Sequence, residues 1–182
     1  MLAETLIEVG KVEDAIRALR PAVIASPGDR ALNLSLAKAL IRQDEKSNSE
    51  AILTHLRRSF SDGDSNYEAR LLFARCSMLY SDLERGKVEF DALRRLYIDG
   101  REKARALVLL ADGSVRRFSG RIAAKQYGYG FVSSNELRFD AFFGKNSAKA
   151  DVWDSLSRGC NVSFSLGFTF RGPVALDVVR LA

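Results

Sequence analysis

The side chains best placed to do chemistry in this chain are aromatic rings rather than acids, bases or metal ligands. They lie in two short runs, Tyr127-Gly128-Tyr129-Gly130-Phe131-Val132 and, shortly after, Asp140-Ala141-Phe142-Phe143. Successive side chains of a β-strand point to opposite faces, so Tyr129 and Phe131 share one face, and Gly130 and Val132 take the other. With the second run as the neighbouring strand, Phe142 joins the first face while Ala141 and Phe143 turn to the core. Three rings on an open sheet face form a platform on which unpaired bases can stack. Lys125, Arg121 and Lys145 flank the two runs and are candidates to meet phosphates.

Charge points to the same end of the chain. The protein has 182 residues and a formal net charge of +5. Residues 1–112 hold 18 Lys and Arg against 18 Asp and Glu, whereas residues 113–182 hold 10 against 5. All the excess positive charge therefore accompanies the aromatic runs, as expected of a polyanion binder. Arg116, Arg117, Arg138 and Lys149 belong to that excess together with Arg121, Lys125 and Lys145, and as a group they are either phosphate contacts or a solvated basic face.

Other chemistries find little support. His55 is the only histidine, and Cys76 and Cys160 are too far apart in sequence to suggest a zinc site or a Cys–His pair. There is no GxxxxGK[ST] phosphate loop. Asp62, Asp64, Glu13 and Asp14 fall in turns and at helix starts, where capping explains them. We expect no enzyme activity, no cofactor, no metal and no small-molecule substrate. No stretch approaches the roughly 20 apolar residues needed to span a bilayer, and no signal-peptide pattern opens the chain. A reduced, cytoplasmic protein without a membrane partner is the expectation.

Two kinds of element must position these residues. Over the first hundred residues the pattern is helical. Leu2, Leu6, Ala15, Leu19, Ala22 and Val23 recur at helical spacing, with a break at Gly10-Lys11 and a stop at Pro27-Gly28. A second pair covers residues 30–42 and 48–60, and a third covers 67–80 and 84–98, ending at Asp99-Gly100, with Ser65 or Asn66 as cap. Leu107 to Leu110 then reads as a lead-in strand, and Asp112-Gly113 as a hairpin turn. Five strands follow, over residues 116–125, 128–133, 139–143, 162–168 and 173–181, enough for a small barrel. Ile122, Val132, Phe143, Val162 and Phe164 should point inward.

Pairs repeating every 30 to 40 residues indicate a solenoid. Leu2-Ala3, Leu6, Gly10, Ala15, Leu19, Ala22 and Pro27 resemble a tetratricopeptide repeat, and Ala74, Gly86 and Phe90 keep that frame more loosely. His55 departs from it, standing where a large apolar residue is usual and reading as a helix surface or repeat junction. Against that frame the first helix lacks its opening turns, so we expect the C-terminal part of a longer protein. From Gly120 the order of signals resembles a cold-shock domain. Tyr127 to Val132 is similar to its first ribonucleoprotein motif and Asp140 to Phe143 to its second. Leu156-x-x-Gly159-x-x-Val162-x-Phe164 and Arg171-Gly172-Pro173 resemble its later strands.

That resemblance implies base stacking by Tyr129, Phe131 and Phe142, with Trp153 as a further exposed aromatic or as a plug in the barrel mouth. The chain departs from the family at Gly144-Lys145, where a histidine and an aromatic are usual. It departs again at Ala124, near the usual tryptophan, and at Tyr127, which replaces a lysine. The expected architecture is α+β and multidomain. Residues 1–100 form a solenoid of three helix pairs, 101–116 a linker and lead-in strand, and 117–182 a five-stranded antiparallel barrel of oligonucleotide-binding type. The expected partners are single-stranded RNA or DNA, bound weakly by the barrel, and a protein or upstream domain bound by the helices. The alternative is an interaction or regulatory module whose barrel no longer binds nucleic acid.

Overall fold

The computed structural model describes residues 2–96, 106–110, 112–148 and 150–181. Met1, the expected helix end at Ile98, the Asp99-Gly100 stop, the linker through Arg105 and Lys149 lie outside the described residues. The chain divides into two compact units, residues 1–93 with 111–113, and residues 94–110 with 114–182.

The first unit is helical: α1 Leu2–Glu8, α2 Val12–Ala25, α3 Arg30–Asp44, α4 Ser49–Ser59, α5 Tyr67–Tyr80 and α6 Leu83–Arg95. Local chemistry sets several boundaries. Gly10 adopts φ +79 in the first turn, a conformation that favours glycine. The Asp29 carboxylate accepts from the Leu32 amide at 3.0 Å, and Asn66 caps α5 through the Ala69 amide at 3.4 Å. Ala15, Leu19 and Val23 of α2, Leu36, Ala37 and Leu40 of α3, and Ile52 and Leu56 of α4 are buried. Gly86 lets α6 approach α5 closely. A Cβ there would collide with Met78 and lie 2.8 Å from the Ala74 carbonyl oxygen.

This unit also buries charge. Arg75 and Glu45 pair at 2.6 Å with side chains 2% and 5% exposed, and the Cys76 thiol donates to the other Glu45 oxygen at 3.3 Å. Burial, then the Glu45 charge, pushes the Cys76 thiol well above its usual range. Glu89 accepts from both Arg70 (2.8 Å) and Arg85 (2.9 Å).

The second unit is a closed five-stranded barrel: β2 Arg117–Lys125, β3 Tyr129–Ser133, β4 Ala141–Gly144, β5 Asn161–Thr169 and β6 Gly172–Arg180. A two-residue strand, β1 Ala106–Leu107, pairs with β5, and a six-residue helix, α7 Ala150–Ser155, precedes β5. The Asp112-Gly113 turn is present, with Gly113 at φ +84 and a Leu109–Val115 bridge beside it. Ile122, Val132, Phe143, Val162 and Phe164 are all at most 1% exposed, the phase that alternation predicts.

The barrel corrects one expectation: it is mixed, not antiparallel. Four junctions are antiparallel, but β4 and β6 run parallel, with Phe142 opposite Val174. A closed ring of strictly alternating directions needs an even number of strands, so closing five forces one parallel pair. No helix among the described residues is long and apolar enough to cross a membrane.

Candidate nucleic-acid interface

The face is built by the β2–β3 hairpin and β4. In the register, Phe131 stands opposite Phe142 and Tyr129 opposite Gly144. Gly130 is required by packing on the other side of the same strand. A Cβ there would lie 2.5 Å from the Phe143 ring and 2.6 Å from the Ala124 carbonyl oxygen. With Gly130 and Val132 turned inward, the outward rings Tyr129, Phe131 and Phe142 are 44%, 37% and 40% exposed. Tyr129 stacks on Phe142 at 22° with centroids 5.9 Å apart, and Phe131 stands edge-on to both at 6.1 and 5.9 Å. The rings buttress one another, a preferred arrangement for aromatic clusters, and each retains exposed surface.

The cations divide into two groups. Arg121 lies opposite Ser133 on the outward face, and it borders a shallow polar groove with Ser119, Ser133, Asn135 and Asn161. Lys145 follows β4 directly, its amide donating to the Gly128 carbonyl at 2.9 Å. Both side chains are exposed. Others are engaged within the barrel. Arg117 donates to the Ser163 and Ser165 hydroxyls and the Asp177 carbonyl, while Arg116 pairs with Glu136 at 3.0 Å and lies over the Phe118 ring.

Lys125 belongs to the engaged group, contrary to expectation. A bulge between Ile122 and Ala124 sets Ala124 opposite Phe131 and Lys125 opposite Gly130, so Lys125 shares the inward phase. Its ammonium donates to the carbonyls of Trp153 (2.7 Å) and Leu156 (2.8 Å) and sits 4.8 Å from the Trp153 ring centre. Of the two alternatives for Trp153, an exposed ring or a plug in the barrel mouth, the ring takes the buried one. It is 3% exposed and packs on Phe143 at 5.5 Å, because α7 folds it into the core of the barrel unit. The seven residues singled out from sequence thus separate. Tyr129, Phe131 and Phe142 cluster, Arg121 and Lys145 flank them, and Lys125 and Trp153 form an internal staple.

Sequence reasoning gave Tyr127 no binding role of its own. It is 97% exposed, on the tip of the β2–β3 hairpin, and the signal for it was its place beside Gly128 in a two-residue turn. Asn161 was also missed, having no local motif of its own.

The remaining reactive groups lie elsewhere. Asn33 donates both amide hydrogens to the Pro27 and Asp29 carbonyls, so its oxygen accepts from His55 Nδ1 at 2.9 Å, which fixes the proton on that nitrogen. His55 is thus a half-buried junction residue between α3 and α4, its pKa lowered by burial and then by Arg58 and Arg20. Hydrogen bonds from Ser157 lower the pKa of the Cys160 thiol. Among the described residues no group of three or more His, Cys, Asp or Glu is placed to hold a metal ion. No protein-family model matches the chain, and no curated protein matches it.

Proposed function

We propose that the barrel binds unpaired stretches of RNA or DNA, acting as a cold-shock-like module, and that the tetratricopeptide-like helices serve as a scaffold for a protein partner. The observation that carries this reading is the exposed cluster of Tyr129, Phe131 and Phe142. Large apolar rings gathered on a surface are uncommon without a partner, and bases stack on such rings in a sequence-tolerant way. Arg121 and Lys145 are the phosphate contacts, Lys125 being held by carbonyls. The chain is assigned no catalytic step.

The interaction-module reading keeps one point in its favour. Trp153 and Lys125, two of the residues a nucleic-acid binder of this type would present, are turned inward.

A salt-series titration with short single-stranded and duplex oligonucleotides separates the two. With two phosphates neutralised, log K for single strands falls with log salt at a slope of about −1.4, and duplex binds more weakly. Absence of binding to single strands at low salt would instead place the interaction module first.

A further inference from the structure

The face has a gap as well as a platform. Directly across from Tyr129 the strand carries Gly144, and a Cβ built there would meet only the Phe142 Cε1 atom, 4.0 Å away. The backbone at this point is ordinary extended chain, φ −89 and ψ 165, so glycine is not needed for conformation. Its absent side chain leaves an open recess beside the Phe142 ring, across the strand pair from Tyr129. At the rim, the Lys145 amide is tied to the Gly128 carbonyl, which joins the end of β4 to the hairpin tip. That tip carries Tyr127, which is 97% exposed and has no side-chain hydrogen bond or ring contact among the described residues.

We propose that the recess over Gly144 is a slot for one unpaired base, laid against Tyr129 and covered by Tyr127, with Lys145 at the adjoining phosphate. The inference rests on the proposed binding of unpaired strands and adds a specific position to it. Three features favour a base over a peptide side chain. The neighbouring side chains Tyr129 and Phe142 are flat rings, the gap is one residue wide, and the exposed Lys145 follows it directly in the chain. Base–aromatic stacking suits such rings whatever the base, so the slot discriminates unpaired from paired nucleotides rather than one base from another. Tyr127 has no fixed partner when the slot is empty, and ordering it on binding lessens the net gain from its ring.

The test measures binding of hexathymidylate by fluorescence anisotropy at one low salt concentration, for wild type and four variants. Tyr127→Ala should lose at least about fivefold in affinity, the lower end for one stacked base. Tyr127→Phe should retain wild-type affinity, because the ring and not the hydroxyl does the stacking. Gly144→Val should lose a similar factor by filling the recess, while its melting temperature stays at the wild-type value. Phe131→Ala reports on the platform independently. Loss in Phe131→Ala with wild-type affinity in Tyr127→Ala or in Gly144→Val overturns the slot and leaves the platform standing. Absence of hexathymidylate binding by the wild-type chain overturns the slot and the binding reading together.

Discussion

The two units break the usual rule of burial in opposite senses. The helical unit places charge inside, as Glu45–Arg75 and as Glu89 with Arg70 and Arg85. The barrel places aromatic rings outside, as Tyr129, Phe131 and Phe142. Both are the informative exceptions, a buried polar group and an exposed apolar patch. They differ in completion. The buried charges have partners within their own unit, whereas the exposed rings pack only partly on one another and leave surface open. A charge-paired exception reads as architecture, even with Arg75 Nε left without an acceptor, and an unpaired one as a surface awaiting a partner.

The largest expected effect lies inside the helical unit. Glu45→Ala leaves Arg75 buried and unpaired, and should cost about 3–5 kcal/mol in chemical denaturation. Replacing Glu45 and Arg75 together by Leu and Met should recover most of that loss. A single-variant cost no larger than a surface pair's, under about 1 kcal/mol, would show that this exception is not structural.

Next comes a contrast between neighbours in β4. Phe143→Ala should cost about 3–5 kcal/mol of barrel stability. Phe142→Ala, 40% exposed in the wild type, should cost far less while weakening strand binding. Equal stability losses at the two positions would remove the distinction between inner and outer faces.

Lys125 separates structural charge from binding charge within the barrel. With two charge-assisted hydrogen bonds to carbonyls, Lys125→Ala should destabilise the barrel by about 1.5–3 kcal/mol. It should leave the salt slope of strand binding unchanged. A slope flattened by about 0.7 would mean that this ammonium neutralises a phosphate after all.

The smallest effect is a pH dependence in the helical unit. His55 has a folded pKa below its usual 6.5, so the unfolded chain binds the proton more readily. The associated stability is fully present above about pH 6.5 and is lost as pH falls through that value toward the folded pKa. Thermal melts of wild type and His55→Gln should therefore diverge between about pH 7 and 5, with wild type losing more. Parallel pH profiles would contradict the burial of the ring.

Much of this was legible in the sequence because strand alternation is a strict rule. Once Tyr129-Gly130-Phe131-Val132 is a strand, the outward rings and inward Val132 and Phe143 follow, as the burial of each shows. The helix order was legible through periodicity and through Gly10, Pro27-Gly28 and Asn66 at the breaks. Lys125 was not legible, since a one-residue bulge after Ile122 reverses the phase of the rest of β2, and the sequence left Trp153 open between an exposed ring and a plug in the barrel mouth. The helix Ala150–Ser155 and Leu156 just after it supply the carbonyls and the ring that Lys125 meets, and a contact of that span leaves no local pattern. Nor did the spacing of five strands announce the parallel β4–β6 pair, which arises from closing the ring.

The central claim, that the outward rings are a surface for unpaired bases, is tested most directly at Phe131. Affinity for a short single-stranded oligonucleotide should fall by about 1–3 kcal/mol in Phe131→Ala at every salt concentration, with the slope kept near −1.4. Wild-type affinity in Phe131→Ala, or no binding by the wild type at low salt, would contradict it.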